Sequence, residues 1–109
     1  MESSVDIKSF LKKLINKTQM HECQWEELKN GIFRLLLRNG SVVLDTTGSG
    51  STYELRLYDE SECFAFYSSD IFVDTSGVSS LLEILNKAIL EYRNSLIERK
   101  ISKLYDDLI

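Results

Sequence analysis

Residues 33–46 read FRLLLRNGSVVLDT. Phe33, Leu35 and Leu37 alternate with Arg34, Leu36 and Arg38, the period-two pattern of a strand with one apolar face. Asn39-Gly40 follows, a pair that tolerates positive φ at both central positions of a type I′ turn, and Ser41 to Thr46 returns with the β-branched Val42 and Val43. The stretch is therefore a β-hairpin. Downstream, Tyr53, Leu55 and Leu57 alternate with Glu54, Arg56 and Tyr58 as a third strand. Asp59 to Glu62 turns the chain, and Cys63 to Tyr67 forms a fourth strand. Its Phe64 and Phe66 are assigned to the same apolar face as Phe33, Leu35, Leu37, Tyr53, Leu55 and Leu57. Four strands with short connections predict an antiparallel meander.

Helical spacing brackets this sheet. After Ser4, the apolar residues Ile7, Phe10, Leu11, Leu14 and Ile15 recur at steps of three and four, which predicts an amphipathic helix over residues 5–17. Residues 18–30 are the least patterned part before the sheet; within them Gln24 to Leu28 read as a short strand or a helical turn, with Trp25 as the anchor that closes this connection over the core. At the other end, Asp74-Thr75-Ser76-Gly77 supplies caps and a turn, and no Gly or Pro interrupts residues 78–109. A continuous helix is expected there. The fold class is α+β: an N-terminal helix, a four-stranded antiparallel meander and a long C-terminal helix packed on one sheet face, as one domain over residues 1–109.

The long helix carries two apolar runs. Leu85, Ile89, Tyr92 and Leu96 form the first; Ile97, Ile101, Leu104 and Leu108 form the second, displaced by one residue. A strict heptad would not shift, so the two halves face different neighbours. A helix over residues 79–108 spans about 45 Å, against about 20 Å for a six-residue strand. The sheet therefore leaves Ile97, Ile101, Leu104, Tyr105 and Leu108 uncovered, the kind of stripe that marks an interface. A homodimer closed through this helix is expected.

Composition bounds the class of protein. With 43% hydrophobic and 28% charged residues and no proline, the chain is neither a disordered tail nor a linker. Two cysteines, Cys23 and Cys63, are too few for a disulfide scaffold. No apolar run reaches the length of a membrane span and the N-terminus lacks a signal-peptide core, so a cytoplasmic protein without membrane contact is expected. The net charge of −4 is uneven: between Leu57 and Asn86 there is no Lys or Arg, while Asp59, Glu60, Glu62, Asp70 and Asp74 fall there. Such a section repels nucleic acid and reads either as a solvated face or as a docking surface for a basic protein.

No constellation carries chemistry. His21, Cys23 and Cys63 lack the CxxC spacing and the ligand number of a zinc site, and nothing orients a Cys–His nucleophile. Gly48-Ser49-Gly50 follows a strand but opens another strand and has no Lys, unlike a phosphate loop. The carboxylates Asp59, Glu60, Glu62 and Asp70 sit in turns with no base or apolar pocket beside them to tune a pKa. Arg34, Arg38 and Arg56 beside Tyr58 and Tyr67 suit an RNA platform only loosely, and a cross-strand ion pair of Glu54 with an arginine explains them more simply. Neither an enzyme, nor a metal site, nor a cofactor is expected.

The order of these segments resembles a loose class of small bacterial proteins without an established function. The likeness runs through the helix from Phe10 to Ile15, Trp25-Glu26, the ribbon from Phe33 to Leu44, the strand from Tyr53 to Glu60, and the helix from Leu81 to Leu108 with Tyr105 near its end. It implies a bacterial or phage source and an accessory partner rather than an enzyme, and transfers no binding residue. The expected function is a non-catalytic protein-interaction module, of the immunity or defence-accessory type. The alternative is a small enzyme or ligand-binding module using the sheet face and the loop from Thr46 to Thr52.

Overall fold

The computed structural model describes residues 5–48, 52–70, 72, 74 and 76–108. In chain order they form α1 (Ile7–Gln19), β1 (Glu26–Lys29), β2 (Ile32–Leu37), β3 (Gly40–Asp45), β4 (Glu54–Tyr58), β5 (Cys63–Ser68) and α2 (Ser79–Asp107). The strands make one antiparallel sheet in the order β1-β2-β3-β4-β5, with both helices on one face. The class is α+β as the sequence predicts, with five strands instead of four. The added strand is β1, whose four residues are all exposed and carry no apolar alternation. It is a short edge strand held by pairing to β2, and the Arg34 guanidinium grips Glu26 at 2.6 Å.

Asp6 starts α1: its carboxylate accepts the Ser9 N–H at 2.7 Å, as an N-cap does. Ser4 lies outside the described residues. The helix runs two residues past the expected end and closes with His21 at φ 59, whose N–H donates to the Thr18 carbonyl while the Glu22 N–H reaches that of Lys17. That is a Schellman closure with His in the left-handed position that usually falls to glycine. Trp25, just beyond, is buried as expected.

Lys8 lies beside Gly77 at the entry to α2, while His21 stacks edge-on against Tyr92 and approaches Arg99. The two helices therefore run parallel. Leu11, Leu14 and Ile15 of α1 and Leu82, Leu85 and Ile89 of α2 pack on Phe33, Leu35, Val42, Leu44 and Leu55 of the sheet. Asp74 begins α2 from outside, its carboxylate accepting the N–H groups of Ser76, Val78 and Ser79 at 3.0–3.2 Å. Thr75 of the expected capping segment lies outside the described residues.

Strand β5 corrects one expected register. Leu55 pairs with Tyr67 and Leu57 with Ala65, so Ala65 and Tyr67 face the helices. Phe66 pairs with Arg56 on the opposite face, and Phe64 is the extra residue of a bulge opposite Tyr58. Phe64 is 61% exposed and Phe66 48%, so neither belongs to the core. Leu37 also departs from expectation: it ends β2 beyond the packed part of the sheet and is half-exposed. On the face away from the helices, Val43 is buried although no helix lies over it, because it pairs with Arg34 on one side and Arg56 on the other. Arginine stems shield apolar surface in this way.

Candidate functional site: a projecting helix end and an apolar groove

A chain of this length packed as a sphere-like domain has a radius of gyration of about 13 Å. Here it is 15.7 Å, with a longest extent of 58 Å. The excess comes from α2. Its 29 residues span about 43 Å and run unbroken, as the sequence predicts. Buried residues on α2 end at Tyr92, and every residue from Ile97 to Leu108 is exposed. Exposure rises outward, from 46% at Ile97 to 81% at Leu108.

The five residues assigned to an interface by sequence are thus brought together on this end. At about 100° per residue, Ile97, Ile101, Leu104 and Leu108 fall on one line with Tyr105 at its border, rotated by roughly 130° from the buried Leu82, Leu85, Ala88, Ile89 and Tyr92. Ile97 lies deepest, lining a small cleft between α2 and β1 together with Trp25, Arg93 and Lys100. In that cleft Arg93 reaches Glu27 at 3.4 Å, and its Nε is buried without a partner. Lys100 borders the stripe on one side and Glu98 on the other, while Arg99 lies on the far side of the helix near His21.

At the opposite end of the helix pair, an open apolar groove of about 560 Å³ separates the start of α1 from the end of the sheet. Val5, Ile7 and Phe10 form one wall; Leu37, Val42, Leu57, Phe64, Ala65 and Tyr67 form the floor and the other wall. The β5 register creates it, because that register sets the small Ala65 on the floor and turns both phenylalanines of the strand away from the core. Sequence reasoning missed this groove: its residues come from α1, β2, β3, β4 and β5, and no local pattern joins them.

The expected acidic surface divides in two. Asp59, Glu60 and Glu62 share the β4–β5 turn, which adjoins the groove through Tyr58 and Phe64. N–H groups of Ser61 and Glu62 and the Ser61 hydroxyl hold the Asp59 carboxyl below the usual aspartate range. Asp70 and Asp74 lie past the other end of β5, about 20 Å along the strand. Their backbones are joined, Asp74 N–H to Asp70 C=O at 2.7 Å, and the Asp74 carboxylate is committed to α2.

The remaining candidates do not converge. No group of three His, Cys, Asp or Glu side chains among the described residues is placed to hold a metal ion. Cys23 is half-buried before β1, where burial pushes its thiol up, while Cys63 opens β5 on the other edge of the sheet. Residues 49–51 of the loop from Thr46 to Thr52 lie outside the described residues. Arg34 and Arg56 share the face away from the helices, but Arg38 sits in the β2–β3 turn and Tyr67 faces the helices, so the aromatic-basic platform is not assembled. Glu54 pairs with Arg56 two residues on in the same strand at 2.7 Å, and the cross-strand partner of Arg56 is Asp45 at 3.4 Å. No helix of the described residues is long and apolar enough to cross a membrane.

Comparison with family models, curated proteins and solved structures found no match to this chain.

Proposed function

We propose that this protein acts without catalysis, as an interaction module that works by holding a protein partner, and that it is itself a homodimer joined through the end of α2. The observation that carries this reading is the projecting helix end with four aliphatic residues in line and Tyr105 beside them, all exposed. A contiguous apolar stripe of this kind is kept on a folded protein where a partner covers it. A two-fold dimer is the commonest closed arrangement for such a surface. The module would serve in the manner of an immunity-type or defence-accessory protein, whose work is done by occupying another protein's surface, with the acidic β4–β5 turn suited to a basic partner.

Light scattering on a size-exclusion column tests the dimer. The protein should run at about 25 kDa, twice its 12.6 kDa chain mass, and Ile101→Glu should run at about 13 kDa. A wild-type monomer at every concentration contradicts the reading.

A further inference from the structure

We infer that the ends of two α2 helices pair antiparallel across a two-fold axis, with Ile97 level with the partner's Leu108 and Ile101 level with the partner's Leu104. This rests on the dimer reading above and fixes how the second copy lies on the helix.

The spacing of the stripe carries the register. From Ile97 its aliphatic residues follow at steps of four, three and four, a spacing that reads the same from either end. An antiparallel copy therefore meets the stripe with the same stripe, as an isologous contact requires. A parallel copy would align the stripe as well, and position decides between the two. Every residue from Ile97 to Leu108 is exposed, whereas at Ile97 the helix enters the cleft against β1 that Glu26, Glu27 and Arg93 line. An antiparallel partner helix runs out at its Leu108, where that cleft begins, so its length matches the free part of α2. A parallel one would continue toward the strand and set the acidic ends of both chains, Asp106 and Asp107, side by side.

The polar residues beside the stripe find complements in this register. At about 100° per residue, Lys100 and Asp107 border it on one side and Glu98 and Tyr105 on the other. Among the described residues, none of these four side chains makes an ion pair or hydrogen bond within its own chain. A two-fold axis normal to the helix pair brings like borders together. Lys100 then lies within about 3 Å, along the axis, of the partner's Asp107, and Glu98 is offset equally from the partner's Tyr105. The first pair joins a cation to a carboxylate, and in the second the phenol donates to a carboxylate. Each occurs twice. One rotation thus matches the apolar stripe and all four unpartnered polar groups, which is why the occupant is a second copy.

The available surface sets the strength. At about 120 Å² for a full aliphatic side chain and about 200 Å² for tyrosine, the exposed fractions of the five stripe residues come to about 450 Å² per chain. Two copies bring about 900 Å², a ceiling below the roughly 1,000 Å² of a standing interface, so the contact is weak and dissociates on dilution.

Analytical ultracentrifugation of the full chain over a range of concentrations tests the register, with circular dichroism confirming the fold of each variant. The wild type should pass from monomer to dimer as concentration rises, and Ile101→Glu should stay monomeric. Lys100→Asp should weaken the dimer roughly 10-fold, because two equivalent pairs are lost at about 3-fold each. Adding Asp107→Lys in the same chain should recover most of that loss, since the exchanged charges meet again across the antiparallel contact. Adding Glu98→Lys instead should recover nothing, because those two borders meet only in a parallel pair. Recovery by Glu98→Lys rather than Asp107→Lys overturns the antiparallel register and leaves the dimer reading in place. Recovery by neither, with Ile101→Glu monomeric, does the same. A wild type that is monomeric throughout, or an Ile101→Glu variant that dimerises as tightly as wild type, takes down both.

Discussion

The indole N–H of Trp25 donates to the Thr18 hydroxyl oxygen at 3.0 Å, and that hydroxyl donates in turn to the Leu14 carbonyl at 2.8 Å. Both side chains are buried. This relay fixes the turn between α1 and β1: the last buried residue of the helix holds the one aromatic group that fills the corner under α2. Thr18→Val keeps the shape but leaves the indole donor without its partner. Urea titration should show a loss of roughly 1–3 kcal/mol, the penalty of an orphaned buried polar group. A change near zero would show that the indole finds another acceptor.

The β5 register makes a paired prediction. Leu55 is fully buried in the middle of the sheet, and Leu55→Ala should lower stability by about 2–5 kcal/mol. Phe64→Ala should change it by no more than about 0.5 kcal/mol, as exposed positions do. Equal losses would restore the alternative in which Phe64 lies in the core.

Asp74 supplies a pH dependence. Partial burial alone would raise its carboxyl, but the N–H groups of Val78, Ser79 and Ser76 and the Ser79 hydroxyl outweigh that and hold it below the ordinary 3.8. A carboxylate with a depressed folded-state pKa contributes stability above its unfolded value and loses it as pH falls through the folded one. Thermal melts should therefore show wild type more stable than Asp74→Asn at neutral pH, with the difference shrinking below about pH 4. A difference that does not change with pH would mean that the charge of Asp74 has no part in starting α2.

Gly77 stands at φ 66 immediately before α2, with only the flexible end of Lys8 near the place a Cβ would take. The strain of a substitution there is in the backbone. Gly77→Ala should lower stability by about 1–2 kcal/mol, the penalty of holding a side-chain-bearing residue in the left-handed region. A neutral effect in a denaturant titration would show that this turn adjusts freely.

Local patterns carried most of the architecture. The strand alternation set the β2–β3 hairpin and the unbroken helical spacing set α2, because periods of two and 3.6 residues leave direct marks on a chain. The expected Asn39-Gly40 turn is corrected: the loop is Arg38-Asn39 without positive φ, and Gly40 opens β3, where a Cβ would meet the Tyr58 carbonyl oxygen. Strand β1 leaves none, since Glu26, Glu27, Leu28 and Lys29 are all exposed and only pairing to β2 makes them a strand. The β5 error has a different cause. Alternation separates Phe64 and Phe66 from Ala65 and Tyr67 without saying which set faces inward; the pairing of Leu55 with Tyr67 and of Leu57 with Ala65 decides it. The helix-end stripe was legible as a one-residue displacement in the apolar spacing. The groove was not, because five elements contribute to it and its space depends on a small residue at Ala65.

The central claim is that the end of α2 is covered in solution. Amide hydrogen exchange of residues 98–107, followed as a function of protein concentration, tests it most directly. A bare helix end of about ten residues is marginal in water and opens readily, whereas the same end seated against a second copy is held. Slow exchange at high concentration that becomes fast on dilution, while the buried turn around Leu85 and Ile89 stays protected throughout, is the predicted result. Fast exchange at residues 98–107 at every concentration would contradict the account.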